Sequence, residues 1–247
     1  MLACGSGSGS GRTRRKVSAM RKLTLFILIL SLLGAIGYVG YKYLTDWRAE
    51  KDFSSLMTSE TSLKDLHKKN KDCIGIIKIK GTRVNYPVMQ NSKDNPEKYL
   101  RKNFKGQYSV AGTPFLSAWS KLGKSQNYLI FGHNMKSGGM FHDILKYEKK
   151  KFYQKHKYIE FENIKDGKGT FRVIAAFRTE TYSFNYPGYG YLDGKRYYDR
   201  YVGICKDLSA YSTGKTPRHP TQLLTLSTCA YHASGGRFVV LAEKISE

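Results

Sequence analysis

Leu23 to Tyr41 is a run of 19 residues without a formal charge, rich in Leu and Ile and bounded by Lys22 and Lys42. About 20 such residues cross the hydrocarbon core of a bilayer as a helix, so the run separates whatever precedes it from whatever follows. Six cations, Arg12, Arg14, Arg15, Lys16, Arg21 and Lys22, lie on its N-terminal side. The positive-inside tendency holds that side in the cytoplasm and places the rest of the chain outside. A cleaved signal peptide would show a shorter apolar region, about 7 to 15 residues, and a small-x-small cleavage site, whereas this run closes on Tyr38, Tyr41, Lys42 and Tyr43. The reading is a basic cytoplasmic tail over 1–22 and a retained single-pass anchor in the cell membrane over 23–43. Met1 to Gly11 holds a Gly-Ser alternation from Gly5 onward, the pattern of a flexible linker or fusion remnant, which takes Cys4 out of the fold.

Beyond the anchor, about 200 residues suffice for one domain with a real core, not for two catalytic domains. They carry 35 of the 42 Lys and Arg and all 19 Asp and Glu. So basic a surface attracts polyanions through its summed field, whether nucleic acid, anionic lipid or an anionic cell wall. Placement outside the membrane removes nucleic acid and favours phosphate-rich wall polymers, against the plainer reading of a solvated Lys-rich surface. A fold stapled by disulfides would show more than four cysteines, in closely spaced pairs. Cys73 opens an apolar strand and Cys205 sits at helical spacing from Tyr201 and Leu208, so both read as buried small hydrophobes.

Over Asp46 to Asn70, within the segment 44–72, Trp47, Phe53, Leu56, Leu63 and Leu66 are spaced among polar residues. That suits one or two amphipathic helices acting as stalk and brace. From Cys73 the period changes to two, and Ile74, Ile76 and Ile79, then Val84, Tyr86 and Val88, predict an antiparallel hairpin about Gly81-Thr82. A short helix is expected over Asn95 to Asn103, with Asp94 as N-cap and Pro96 in its first turn. Strands follow at Thr113–Ser117, Asn127–Phe131, Tyr158–Asn163, Thr170–Arg178, Gln222–Thr228 and Arg237–Lys244. Eight antiparallel strands make a small closed barrel, with rim loops free to carry a site. Met140 to Tyr147 and Glu148 to His156 read as helical. Tyr182 to Pro220 is too long for a bare loop, and Asp193 to Ala210 within it sets Tyr197, Tyr201, Ile204, Cys205 and Leu208 at helical spacing. The domain over 73–247 is therefore mainly β with helices.

The chemistry gathers near the C-terminus. Cys229 ends one short apolar run and Arg237 opens the next across the small and polar residues Ala230 to Gly236, so a thiol faces a guanidinium on neighbouring strands. His133 leaves the apolar run Tyr128 to Phe131 through Gly132, into a Gly-rich loop. A thiol needs a base or positive neighbours to attack at neutral pH, and arginine offers fixed donors to a developing oxyanion. His232 is nearer in sequence to Cys229 and stands as the alternative base, while His67, His142, His156 and His219 read as surface or packing residues. No acid immediately follows the cysteine, the next residues being Ala230 and Tyr231, which leaves a dyad plus arginine. No Cys, His or carboxylate set has metal spacing; Asp193, Asp199 and Asp207 are spread over one helix. No cofactor is called for.

Thr225-Leu226-Ser227-Thr228-Cys229 with Arg237, together with Phe131-Gly132-His133-Asn134-Met135, resembles the sortases, the membrane-anchored transpeptidases of Gram-positive bacteria. Gly81 to Gln90, Asp94-Asn95 with Tyr99-Leu100, Gly138-Gly139-Met140-Phe141 and the long insert before the cysteine strand are similar to class B. The resemblance, from about Asp46 to the C-terminus, implies an eight-stranded sortase barrel with N-terminal helices and a helix inserted before the cysteine strand. It implies a groove lined by Asn95, Leu100, Ser227 and Thr228, with one more residue between the first two than the family pattern has. It further implies surface-protein substrates bearing Asn-Pro-x-Thr-Asn or Ser/Asn-Pro-x-Thr-Gly signals, cleaved after Thr through a thioester on Cys229. The acceptor would be an amine of peptidoglycan or its lipid-linked precursor. Rival readings are a pilin-linking sortase, a thiol protease using water, and a non-catalytic basic wall-binding module.

Overall fold

The computed structural model describes residues 10–58, 60–192 and 194–246, so residues 1–9, with Cys4, and Asp193 lie outside the described residues. The chain divides into an N-terminal unit, Met1–Thr45, and a second unit, Asp46–Glu247. Helix α1 covers Ser10–Leu56. Its stretch Met20–Thr45 is long and apolar enough to cross a membrane, and the large apolar side chains from Leu23 to Leu44 are all exposed. A helix apolar on every side belongs in a protein core or in lipid. In the second unit the end of α1 supplies Phe53, buried with its ring edge-on to Tyr86 at 5.5 Å. Helix α2, Leu63–Lys69, starts where Ser62 Oγ accepts from Asp65 N at 3.1 Å, and it buries Leu63 and Leu66. Each such side chain stabilises the unit by about 1.5–3 kcal/mol. Trp47, expected on the same face, is exposed.

Eight strands close into a barrel. They are β1 (Cys73–Lys78), β2 (Asn85–Gln90), β3 (Phe115–Leu116), β4 (Asn127–Phe131), β5 (Tyr158–Asn163), β6 (Gly167–Glu180), β7 (Leu223–Cys229) and β8 (Gly236–Ser246). Their order is β1-β2-β3-β4-β7-β8-β6-β5, and β5 returns to β1. Period-two alternation splits the apolar residues into two layers. Tyr128, Ile130, Leu224, Leu226, Phe238 and Val240 fill the interior. Leu129, Leu223, Val239 and Leu241 point outward, where helix α4 (Gly194–Asp207) covers them with Tyr198, Tyr201, Val202 and Cys205. In β6 the register slips between Val173 and Ala175. That bulge sets Ile174 and Ala175 together in the outer layer before Ala176 returns to the interior.

Several expectations change. Two pairings, β2 with β3 and β4 with β7, are parallel, because the chain between each pair crosses over instead of turning back. The helix expected over Asn95 to Asn103 is a single 3-10 turn, Lys98–Arg101. Carbonyls in it and just after it are engaged from outside: Tyr99 O by Thr113 N at 3.0 Å and Lys102 O by the Thr113 hydroxyl at 2.9 Å. The helical stretches after His133 contract to a 3-10 segment, His142–Glu148, and helix α3, Lys150–Lys155. The buried stripe of α4 uses Tyr198 and Val202 in place of Tyr197, which is exposed.

Candidate active site

Parity along β7 decides where the thiol points. Leu224 and Leu226 face inward, so Leu223, Thr225, Ser227 and Cys229 share the outer face. Polar members of that row are matched individually. Thr225 bonds Tyr201 of α4 and Asn127 Oδ1, each at 2.9 Å, and Ser227 Oγ lies 2.7 Å from the Tyr186 hydroxyl. Cys229 comes next, half-buried at the last position of the strand and opposite Arg237 in the register with β8. Arg237 Nη1 donates to Gly236 O at 3.0 Å, and among the described residues no carboxylate pairs with it.

The third residue arrives on β4, which lies parallel to β7 with Phe131 opposite Ser227. Gly132 N donates to Ser227 O at 3.1 Å, and the Thr228 hydroxyl donates to Gly132 O at 2.7 Å. A Cβ at Gly132 would stand 2.7 Å from the Phe141 ring, so this approach requires glycine. His133 follows, half-buried, with Nε2 2.8 Å from Leu100 O. A carbonyl only accepts, so Nε2 carries the hydrogen and the neutral ring keeps its lone pair on Nδ1. Burial lowers the His133 pKa below its ordinary 6.5, the Leu100 carbonyl opposes this and Arg101 adds to it. The imidazole is therefore neutral near pH 7, and it is not hydrogen-bonded to Cys229.

A groove of about 340 Å³ joins these residues; Cys229, His133 and Arg237 line it with Leu100, Ser227 and Thr228. Asn95 does not, being exposed on the preceding loop, and Pro96 and Glu97 take the wall position. A larger hollow, about 420 Å³ against β1 and β5, holds none of the three. Residues 77–245, more than half of the chain, match the Sortase domain family. The chain belongs to the sortase family. It is 31% identical over 206 residues to Sortase B of Staphylococcus aureus (strain NCTC 8325 / PS 47), covering 80% of this chain and 82% of that protein. With Sortase B of Listeria monocytogenes serovar 1/2a (strain ATCC BAA-679 / EGD-e) it shares 34% identity over 171 residues, 68% of this chain and 66% of that one. A solved Staphylococcus aureus sortase B-substrate complex is similar at a TM-score of 0.67 and 32% identity, covering 74% of this chain and 84% of that one. These relatives make it a class B sortase, a cysteine transpeptidase.

Part of the sortase groove was not singled out from sequence. Thr181 comes from the position just after β6, Tyr186 and Pro187 from the insert, and Trp119 from the loop after β3, with Lys93 Nζ 4.6 Å over its ring. The one available signal was the aromatic density of Tyr182, Phe184, Tyr186, Tyr189 and Tyr191. Burial raises the Tyr186 hydroxyl above its ordinary value, with Ser227 and Arg237 pulling against it, so it stays protonated. His232, the alternative base, is off the groove: Nδ1 is 3.0 Å from Ala230 O and Nε2 3.3 Å from Glu180. Of the six histidines, His133 alone lines the groove. Burial pushes the Cys73 thiol up to about 12 and the Cys205 thiol higher still.

Proposed function

We propose that this sortase binds a sorting-signal peptide in the groove and carries it as a thioester on Cys229. The observation that carries the reading is the convergence of Cys229, His133 and Arg237 on one groove from three neighbouring strands. As sulfur attacks the threonine carbonyl carbon, the thiol proton passes to His133 Nδ1, the nitrogen left free by the bond to Leu100. The carbonyl oxygen becomes an oxyanion held by the Arg237 guanidinium. The intermediate collapses, the C–N bond breaks, and His133 returns its proton to the departing amine. An acceptor amine then attacks the thioester and gives a proton to His133. The C–S bond breaks, and the thiolate recovers that proton.

The same reading assigns Leu100, Ser227 and Thr228 to peptide contact, keeps Asn95 at the mouth, and takes Asn-Pro-x-Thr-Asn or Ser/Asn-Pro-x-Thr-Gly signals. The acceptor is an amine of peptidoglycan or its lipid-linked precursor. The apolar stretch of α1 anchors the protein with its N-terminus cytoplasmic, in line with the six preceding cations. The domains are then the tail 1–22, anchor 23–43, brace 44–72 and barrel 73–247. The test is product mass after incubation with a mixed pentapeptide library and candidate amines. The reading expects ligated products whose yield rises with added amine. Water-only products that ignore amine would make it a thiol protease; lysine-linked protein adducts alone would make it pilin-linking; no product would leave a wall-binding module.

A further inference from the structure

The parallel ladder between β4 and β7 ends at Gly132 and Ser227, one position short of His133 and two short of Cys229. A side chain continues it. Asn134, buried and next to His133, donates through Nδ2 to Cys229 O at 3.0 Å. A backbone carbonyl only accepts, so the amide nitrogen must face Cys229 and Oδ1 must face away. Oδ1 lies 2.8 Å from His142 Nδ1, which makes Nδ1 the protonated nitrogen of His142 and prevents the amide from turning over. The backbone of Asn134 is held as well, with Tyr231 OH donating to its carbonyl at 3.2 Å. Phe141 N closes the loop onto His133 O at 2.8 Å.

We infer that Asn134 is a positioning residue for the transfer reaction, tying the backbone of the thiol-bearing residue to the backbone that bears the base, with His142 fixing the orientation of its amide. His133 and Cys229 share no hydrogen bond, so this link extends to the two residues themselves the tie that Gly132 makes with Ser227 and Thr228. The inference rests on the roles proposed for His133 and Cys229. The link acts on the chemical step and leaves the groove wall in place, so it bears on kcat and spares the peptide KM.

The test uses the full chain in detergent, with triglycine and whichever sorting pentapeptide the wild type cleaves. Asn134→Ala should lower kcat about tenfold to a hundredfold, the scale of a misplaced reacting pair, with KM within about twofold. Asn134→Asp keeps an acceptor for His142 yet cannot donate to Cys229 O, and should do no better than alanine. His142→Ala should shift kcat in the same direction by less, and His142→Asn, which restores an N–H donor, should recover most of the loss. The His142 pair decides the matter if the Asn134 variants do not fold. Unchanged kcat in folded Asn134→Ala, full activity in Asn134→Asp, a loss confined to KM, or no rescue by His142→Asn would each overturn the inference. A wild type that cleaves no pentapeptide would instead sink the proposed function itself.

Discussion

The inner face of β7 gives Leu224 and Leu226 to the barrel interior, whereas its outer face gives Thr225, Ser227 and Cys229 to the layer under α4 and the rim. The inner side chains meet many neighbours, none of them singly required, and the cost of altering them is spread over the core. The outer polar groups meet specific partners, Tyr201 and Asn127 for Thr225 and Tyr186 for Ser227. A row that must satisfy each polar group individually runs on to a cysteine whose carbonyl is held by Asn134 and whose neighbour across the ladder is Arg237. On this account changes on the inner face register as stability and changes on the outer face register as turnover.

The contrast is broken most severely at Arg237. Arg237→Lys keeps the charge and loses the planar fork, and kcat should fall about 10²- to 10³-fold with the unfolding midpoint nearly unchanged; near-normal steady-state turnover would reduce Arg237 to a generic cation. Leu226→Ala should do the opposite, costing about 3 kcal/mol in denaturant unfolding while kcat per folded molecule is retained. A smaller effect is expected for Tyr186→Phe, which leaves Ser227 without its partner. A loss of about 0.5–1.5 kcal/mol should appear in transition-state binding, measured as kcat/KM, and a purely thermal effect would move Tyr186 to the structural side.

The smallest effect concerns His133. Because burial depresses its pKa, the unfolded chain takes up the proton first as pH falls below 6.5. Stability is then unpenalised above that value and is lost on acidification through it, down to the folded value. Between about pH 7 and pH 5 the wild type should therefore lose more stability than His133→Gln. Equal slopes in pH-dependent unfolding would show that His133 is not held neutral.

Strands β7 and β8 and the pair Cys229 and Arg237 were legible in the sequence because alternation and a short polar connection specify an antiparallel neighbour locally. The parallel pairing of β4 with β7 was not, since it depends on a crossover of nearly a hundred residues; His133 could be named, but its bond to Leu100 could not. The turn Lys98–Arg101 looked helical because local propensity cannot register that Thr113 claims carbonyls in it and just after it. Parity in α4 was misjudged by one residue, as Tyr197 and Tyr198 are equally apolar and only the packed layer selects Tyr198. The groove wall from Thr181 to Pro187 escaped because nothing in its composition separates rim aromatics from core aromatics.

The central claim is that the outer row of β7 ends in the acyl carrier. Intact-mass and peptide-mapping spectrometry of the full chain, quenched in acid during turnover of a sorting pentapeptide, tests it directly. The account predicts one acyl adduct, mapped to Cys229, discharged by added amine and absent from Cys229→Ala, which should be folded and inactive. An adduct on Cys73, Cys205 or any other residue, or product formation by Cys229→Ala, would contradict it.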